Sequence, residues 1–213
     1  MPLNKSKGNM YPWVTHTWNV VKGKCSHDCS YCYMKRYPQP ELHFDEKELK
    51  TDLGEGNFVF VGSSCDMFAK DIKREWIDRI LAHCKMYRNE YLFQSKRPNG
   101  FYYLPIGSII GTTIETNRHY QNIMGAAPIP LARYDAIIQK PQTKMVSIEP
   151  IMDFDLEVMV EWMREIKPNF VSIGADSGNN HLPEPPPEKV RTLIDSLRQF
   201  TEVKLKDNLK RLI

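Results

Sequence analysis

An α/β fold on a parallel sheet is what this sequence predicts, and two observations carry the expectation. Short apolar runs without alternation recur along the chain, and segments with a 3.6-residue apolar stripe fall between them. Unalternating runs suit strands buried on both faces, and strands alternating with helices assemble as parallel βαβ units. A closed eight-unit barrel of this kind takes about 250 residues, roughly 31 per unit. The 213 residues here leave room for about six. The expectation is therefore a partial parallel (β/α)6 barrel of the TIM type, one domain over residues 1–213, with a doubly wound open sheet as the alternative.

Each element has its own signal. Residues 1–12 read as an N-terminal extension. Residues 13–21 are rich in β-branched and aromatic side chains and read as the first strand, which ends at the turn signal Lys22-Gly23-Lys24. A loop over 22–33 follows. Residues 57–61 are the second strand, stopped by Gly62-Ser63-Ser64. Residues 71–89 carry the stripe Ile72, Trp76, Ile77, Ile80, Leu81 and Cys84, a helix. Further strands are expected at 91–93, 108–114, 145–148, 170–173 and 203–205. The gap between 91 and 108 is too short for a full helix. Residues 117–138 are helical at their start and interrupted by Pro128 and Pro130. Helices are expected at 156–166, through Met159, Trp162, Met163 and Ile166, and at 188–200, through Val190, Leu193, Ile194, Leu197 and Phe200. The second of these enters behind Pro185, Pro186 and Pro187.

Hydrophobic residues make up 41% and charged residues 26%, which excludes a mostly disordered chain, a collagen and a disulfide-dense miniprotein. No apolar run approaches the roughly 18–20 residues that span a bilayer, and no apolar segment follows the N-terminus, so neither a membrane partner nor a signal peptide is expected. The net charge of +3 permits an anionic substrate without arguing for one. The five cysteines are odd in number, and three fall within eight positions. That clustering suits metal or redox chemistry in a reducing compartment, so the expected location is cytoplasmic.

The three are Cys25, Cys29 and Cys32, spaced C-x3-C-x2-C directly after the first strand. Iron–sulfur clusters are held by cysteine thiolates, usually four. Three leave one position open, as a catalytic metal site does for its ligand. The same three with His27 or His43 would also make a tetrahedral Cys3His zinc site.

The loop, with the aromatic Tyr31 before its last cysteine, resembles that of the radical S-adenosylmethionine (SAM) superfamily. Further segments resemble one phage-derived branch, catalogued as a domain of unknown function and distantly similar to the spore photoproduct lyase and DNA-repair-photolyase group. They are TWN at 17–19, VGSSCDMF at 61–68, QSKRP at 94–98, GTTIETN at 111–117, VSIEP at 146–150, VSIGADSG at 171–178 and VKLKDN at 203–208. The resemblance covers nearly the whole chain. It implies a [4Fe-4S] cluster on Cys25, Cys29 and Cys32, S-adenosylmethionine as cofactor, a flavodoxin- or ferredoxin-type electron donor, and a host-cytoplasm location if phage-encoded.

It also implies roles at the strand ends. Gly62, Ser63 and Ser64 would meet the cofactor's amino group, Thr113, Glu115 and Asn117 its ribose, and Tyr31 its adenine. Lys96 would meet its carboxylate, with Glu149 as a further contact. Asp66, Arg97, Asp176, Ser177, Lys206, Asp207 and Asn208 would line the substrate wall. Cys65 would return a hydrogen atom to a product radical, whereas Cys84 lies on a helical stripe and belongs to the core. The implied reaction is modification, isomerisation or repair of a nucleic-acid base, of the hypermodified-thymidine kind in phage DNA. Lys70, Lys73, Arg74, Lys96, Arg97, Arg118 and Arg133 would offer phosphate contacts. The alternative is a zinc-stabilised nucleic-acid-binding module without catalysis. No cysteines remain for a second cluster.

Overall fold

In a computed structural model, which describes residues 2–213, the chain is an α/β protein around a largely parallel eight-stranded sheet. Strand β1 (Asn4–Lys5) pairs antiparallel with β2 (His16–Trp18). A small hairpin of β3 (Val21–Lys22) and β4 (His43–Phe44) stands apart from the sheet. Then come β5 (Phe58–Val61), α1 (Arg74–Cys84), β6 (Glu90–Gln94), β7 (Ile109–Thr113), α2 (Gln121–Met124), α3 (Pro130–Ile138), β8 (Thr143–Ile148), α4 (Leu156–Ile166), β9 (Phe170–Ile173), α5 (Pro187–Leu197) and β10 (Glu202–Leu205). The sheet order is β1-β2-β5-β6-β7-β8-β9-β10, and every pair after the first is parallel. Strands β1 and β10 are not paired with each other, so the sheet is open and a closed barrel is not formed.

Two expectations change. Seven strands are parallel, but only four of the six crossovers between them carry an α-helix. The β2–β5 crossover is spent on the cysteine loop and the hairpin, and the β6–β7 crossover holds only a 3-10 turn at Pro98–Gly100. The (β/α)6 regularity is therefore incomplete. The first strand is also shorter than residues 13–21. Trp13 and Val14 leave the ladder to pack on the sheet, and Asn19 turns its side chain to the loop after β5.

The sheet is buried on both faces, as the unalternating runs required. Val59, Val61, Tyr91, Phe93, Ile110, Val146, Ile148, Val171 and Ile173 face the helices in one core. There they meet the predicted stripes: Ile77, Ile80 and Leu81 of α1, Met159 and Met163 of α4, and Leu193 and Leu197 of α5. Phe58, Phe60, Leu92, Ile109, Met145 and Phe170 point the other way, against Met10, Tyr11, Trp13 and Val14. The Tyr11 hydroxyl is 2.9 Å from both Gln94 on β6 and Ser147 on β8. Two strand steps on a flat sheet cover about 9–10 Å, so the sheet curves around the ring. Met10, Tyr11, Trp13 and Val14 are thus part of the core, not an appendage. No helix among the described residues is long and apolar enough to cross a membrane.

Candidate active site

The cysteine loop leaves β2 at its C-terminal end, the end where open parallel sheets bind ligands. Its shape comes from backbone contacts. Asp28 N–H donates to Cys25 O at 3.2 Å and Cys32 N–H to Cys29 O at 3.2 Å, two successive tight turns, with Asp28 at φ +49°. Asp tolerates that conformation through its short polar side chain. The segment around α2 then clamps the loop: Ser30 N–H donates to Ile123 O, Ala126 N–H to His27 O, and the Cys29 thiol to Met124 O at 3.5 Å. Gly125, at φ +60°, permits this approach, since a Cβ there would lie 2.3 Å from His27 O. His27, buried, is hydrogen-bonded through Nε2 to Asp66 at 2.8 Å.

The thiols differ in environment. Cys25 shares a hydrogen bond with Cys65, which with nearby His27 holds its pKa down at about 6. The same contact, with burial, pushes the Cys65 thiol up. Burial raises Cys29 against the opposing charge of Lys96. Cys84 is fully buried on α1, as its stripe predicted.

Three of the expected cofactor residues meet in one buried network. The Tyr31 hydroxyl donates to Glu115. Arg133 Nη1 pairs with Glu115 at 2.6 Å and Lys96 Nζ at 3.2 Å, and the Lys96 ammonium lies over the Tyr31 ring. Glu115 and Arg133 are both without solvent exposure. Burial alone would raise the Glu115 pKa, but the two cations outweigh it and hold the carboxyl at about 2. Arg133 also donates to Thr113 O at 3.0 Å and Pro128 O at 2.6 Å. Thr113 accepts from Gln94.

Ser63 and Ser64 are both held by Asn19, whose Oδ1 accepts from Ser63 Oγ at 3.2 Å and Ser64 N–H at 2.9 Å. Gly62 makes the turn before them at φ +78°. On the far side of the sheet, Glu149 accepts from Lys206 at 2.9 Å and from Asn208 and Asn9 at 3.1 Å each. Asp176, Ser177, Asp207 and Asn208 line a cavity of about 880 Å³ next to this group.

Five of the expected site residues are held by partners within the chain. Asp66 is saturated by His27, Ser95 Oγ, Lys96 N–H and Phe68 N–H, so it holds loops rather than offering an oxygen to a substrate. Asn117 is tied to Asp155 at the start of α4. Arg97 turns to Phe68 O at 3.3 Å. Arg133 is buried, and Arg118 is paired with Asp153 and Asp155, so neither is free for phosphate. Sequence reasoning missed Arg133 as the partner of Glu115, Asn19 as the anchor of the Ser63 loop, and Asn9, Tyr11, Gln94 and Ser147 on the concave face. Asn19, Gln94 and Ser147 lie inside segments that carry the resemblance, whereas Asn9 and Tyr11 carry no signal.

Among the described residues no three His, Cys, Asp or Glu side chains are already gathered as a metal site. The chemistry of the donor set nevertheless fits an iron–sulfur cluster: three thiols on one loop, one with its pKa held down by Cys65 and His27, with buried cations beside a second. A Cys3His zinc site would use His27, whose Nε2 is held by Asp66 as the outer nitrogen of a metal-ligating histidine is, or the exposed His43, whose Nδ1 is on Glu41 O. No protein-family model matches this chain, and a search of curated proteins finds no match either.

Proposed function

We propose that the chain is a radical SAM enzyme of the branch it resembles, acting on a nucleic-acid base. The observation that carries the reading is the convergence at one sheet end. The C-x3-C-x2-C loop leaves the first parallel strand there, and Lys96 and Glu115, from the ends of β6 and β7, close on Tyr31 of that loop. The open, curved sheet is read as a partial barrel of the TIM type, whose ligands sit at that end.

Cys25, Cys29 and Cys32 would hold a [4Fe-4S] cluster, leaving its fourth position to the cofactor. When bound, the cluster and S-adenosylmethionine supply a 5′-deoxyadenosyl radical that takes a hydrogen atom from the substrate. The chain's own residues position and exclude. The Gly62-Ser63-Ser64 turn, locked by Asn19, offers backbone and hydroxyl groups to the cofactor's amino group. Lys96 offers its ammonium to the carboxylate, and Thr113, Glu115 and Tyr31 bound the nucleoside. Glu149, locked by Lys206 and Asn208, separates this side from the cavity at Asp176 and Ser177, which is the substrate wall. Cys65, buried against Cys25, keeps its proton and is the thiol from which a hydrogen atom would be returned. The reading carries with it a flavodoxin- or ferredoxin-type donor and a cytoplasmic location.

The test is 5′-deoxyadenosine formation by protein purified without oxygen, reconstituted with iron and sulfide, reduced and given S-adenosylmethionine, beside a Cys29→Ala control. Product from the wild type alone is expected. A colourless, zinc-loaded protein without product would overturn the reading in favour of the zinc-stabilised nucleic-acid-binding module.

A further inference from the structure

Immediately after Cys32 the chain makes a single 3-10 turn, Tyr33–Arg36, ending on Tyr37. In that geometry side chains three apart eclipse, so Tyr33 and Arg36 share a face. Tyr33 is 45% and Tyr37 59% exposed, and their phenols are close enough to interact electrostatically. The Tyr33 ring is anchored. The Tyr33 hydroxyl donates to Ser63 O at 2.8 Å, and Tyr37 is followed by Pro38 and Pro40.

Arg36 donates from Nη2 to Ser177 O at 2.7 Å and pairs with no carboxylate among the described residues. Ser177 also lines the 880 Å³ cavity, so the guanidinium is bonded to a residue of its wall. That volume is within the roughly 300–1,000 Å³ of single-ligand pockets. Its walls hold no apolar side chain; Asn9, Asn179, Asn208 and Ser177 supply amides and a hydroxyl. Such a lining rejects a lipid and suits the hydrogen-bonding edges of a base and its sugar. The lining also carries two carboxylates and two cations: Asp207 pairs with Lys210 at 2.8 Å, and Arg211 lies within the field of Asp176.

We propose that the substrate is a single-stranded polynucleotide that docks on this lip. Its bases stack on Tyr33 and Tyr37, Arg36 takes a phosphate, and the adjoining nucleotide enters the cavity. Aromatic platforms beside an unpaired cation are how single strands are held without reading their sequence. The inference rests on the nucleic-acid part of the function proposed above and adds to it the form of the substrate: a strand, rather than a free nucleotide or an intact duplex.

Fluorescence anisotropy of a labelled single-stranded dodecamer tests it, against the matching duplex and thymidine monophosphate as competitors. Measurements at 50 and 200 mM salt follow the phosphate contribution. The strand is expected to bind at least about tenfold more tightly than the duplex, and the affinity to fall with salt. Tyr37→Ala should weaken it about tenfold, and Tyr37→Phe should not. Arg36→Ala should weaken it and reduce the salt slope by about 0.7. Equal binding by the Ala and Phe variants would overturn the proposal. So would a duplex bound as tightly as the strand, or competition by the monophosphate at equal concentration. Deoxyadenosine formation on the same preparation separates the two ideas. Strand binding without cofactor cleavage would leave the docking lip standing and remove the radical reading.

Discussion

Glu115 shows how a carboxylate is held at a strand end. Its place after an apolar strand marks it as costly to bury, and a ligand contact is one way to offset that cost. In the fold the offset is internal: Arg133, Lys96 and Tyr31 all converge on it. Any cofactor contact it makes is therefore made by a carboxylate already oriented. Removing its charge leaves two cations buried without their partner, so Glu115→Gln should cost about 3–5 kcal/mol in urea unfolding at pH 7. The pH dependence has a definite sign. The folded pKa is depressed to about 2 from the ordinary 4.5. The stabilisation from ionised Glu115 is thus fully present above about pH 4.5 and is lost as pH falls toward 2. The gap between wild type and Glu115→Gln should narrow across that window. A gap that stays constant would show that the ion network contributes nothing to stability.

Among the elements, the N-terminal segment was the least legible. Residues 9–14 have neither a helical nor an alternating period, and a coil that packs through its rings leaves no periodic trace. Tyr11 stacks on Trp13 with ring centroids 4.8 Å apart, and Trp13 meets Phe170 edge-on at 5.0 Å. This aromatic cover closes the concave face that helices do not reach. Tyr11→Ala should therefore cost about 3–5 kcal/mol, as for other buried aromatics. Tyr11→Phe keeps the ring and loses only the bonds to Gln94 and Ser147, about 1 kcal/mol. Chemical denaturation of the two variants compares these terms. Equal losses would mean that the hydroxyl, not the ring, holds the cover. The helices were legible for the opposite reason: the stripe at 156–166 became α4 at the same bounds, because its buried face has a period. The incomplete crossovers were half legible. The short gap before residue 108 excluded a helix, but nothing local shows that the first crossover forms a hairpin with β4, whose pairing is long-range.

For the whole molecule, the question is what holds the cysteine loop when no metal contributes. The parallel sheet is packed on both faces by two apolar clusters. The loop itself is pinned by Ile123 and Met124 carbonyls, by the His27–Asp66 pair, and by the Tyr33 hydroxyl on Ser63. These contacts are long-range in sequence, which is why the cysteine spacing reveals a donor set without revealing that its scaffold stands alone. A small domain folded by its metal loses its structure when the metal is taken away. This chain should not. Treated with a strong chelator, it is expected to keep its far-UV circular dichroism and to melt cooperatively, with the loss confined to the absorbance of the cluster proposed above. Collapse of the sheet signal on chelation would mean that the loop's internal contacts are insufficient and that the metal is structural, which is the behaviour of the zinc-stabilised module. Retention would place the metal where a catalytic group belongs, on a fold that is complete before the metal arrives.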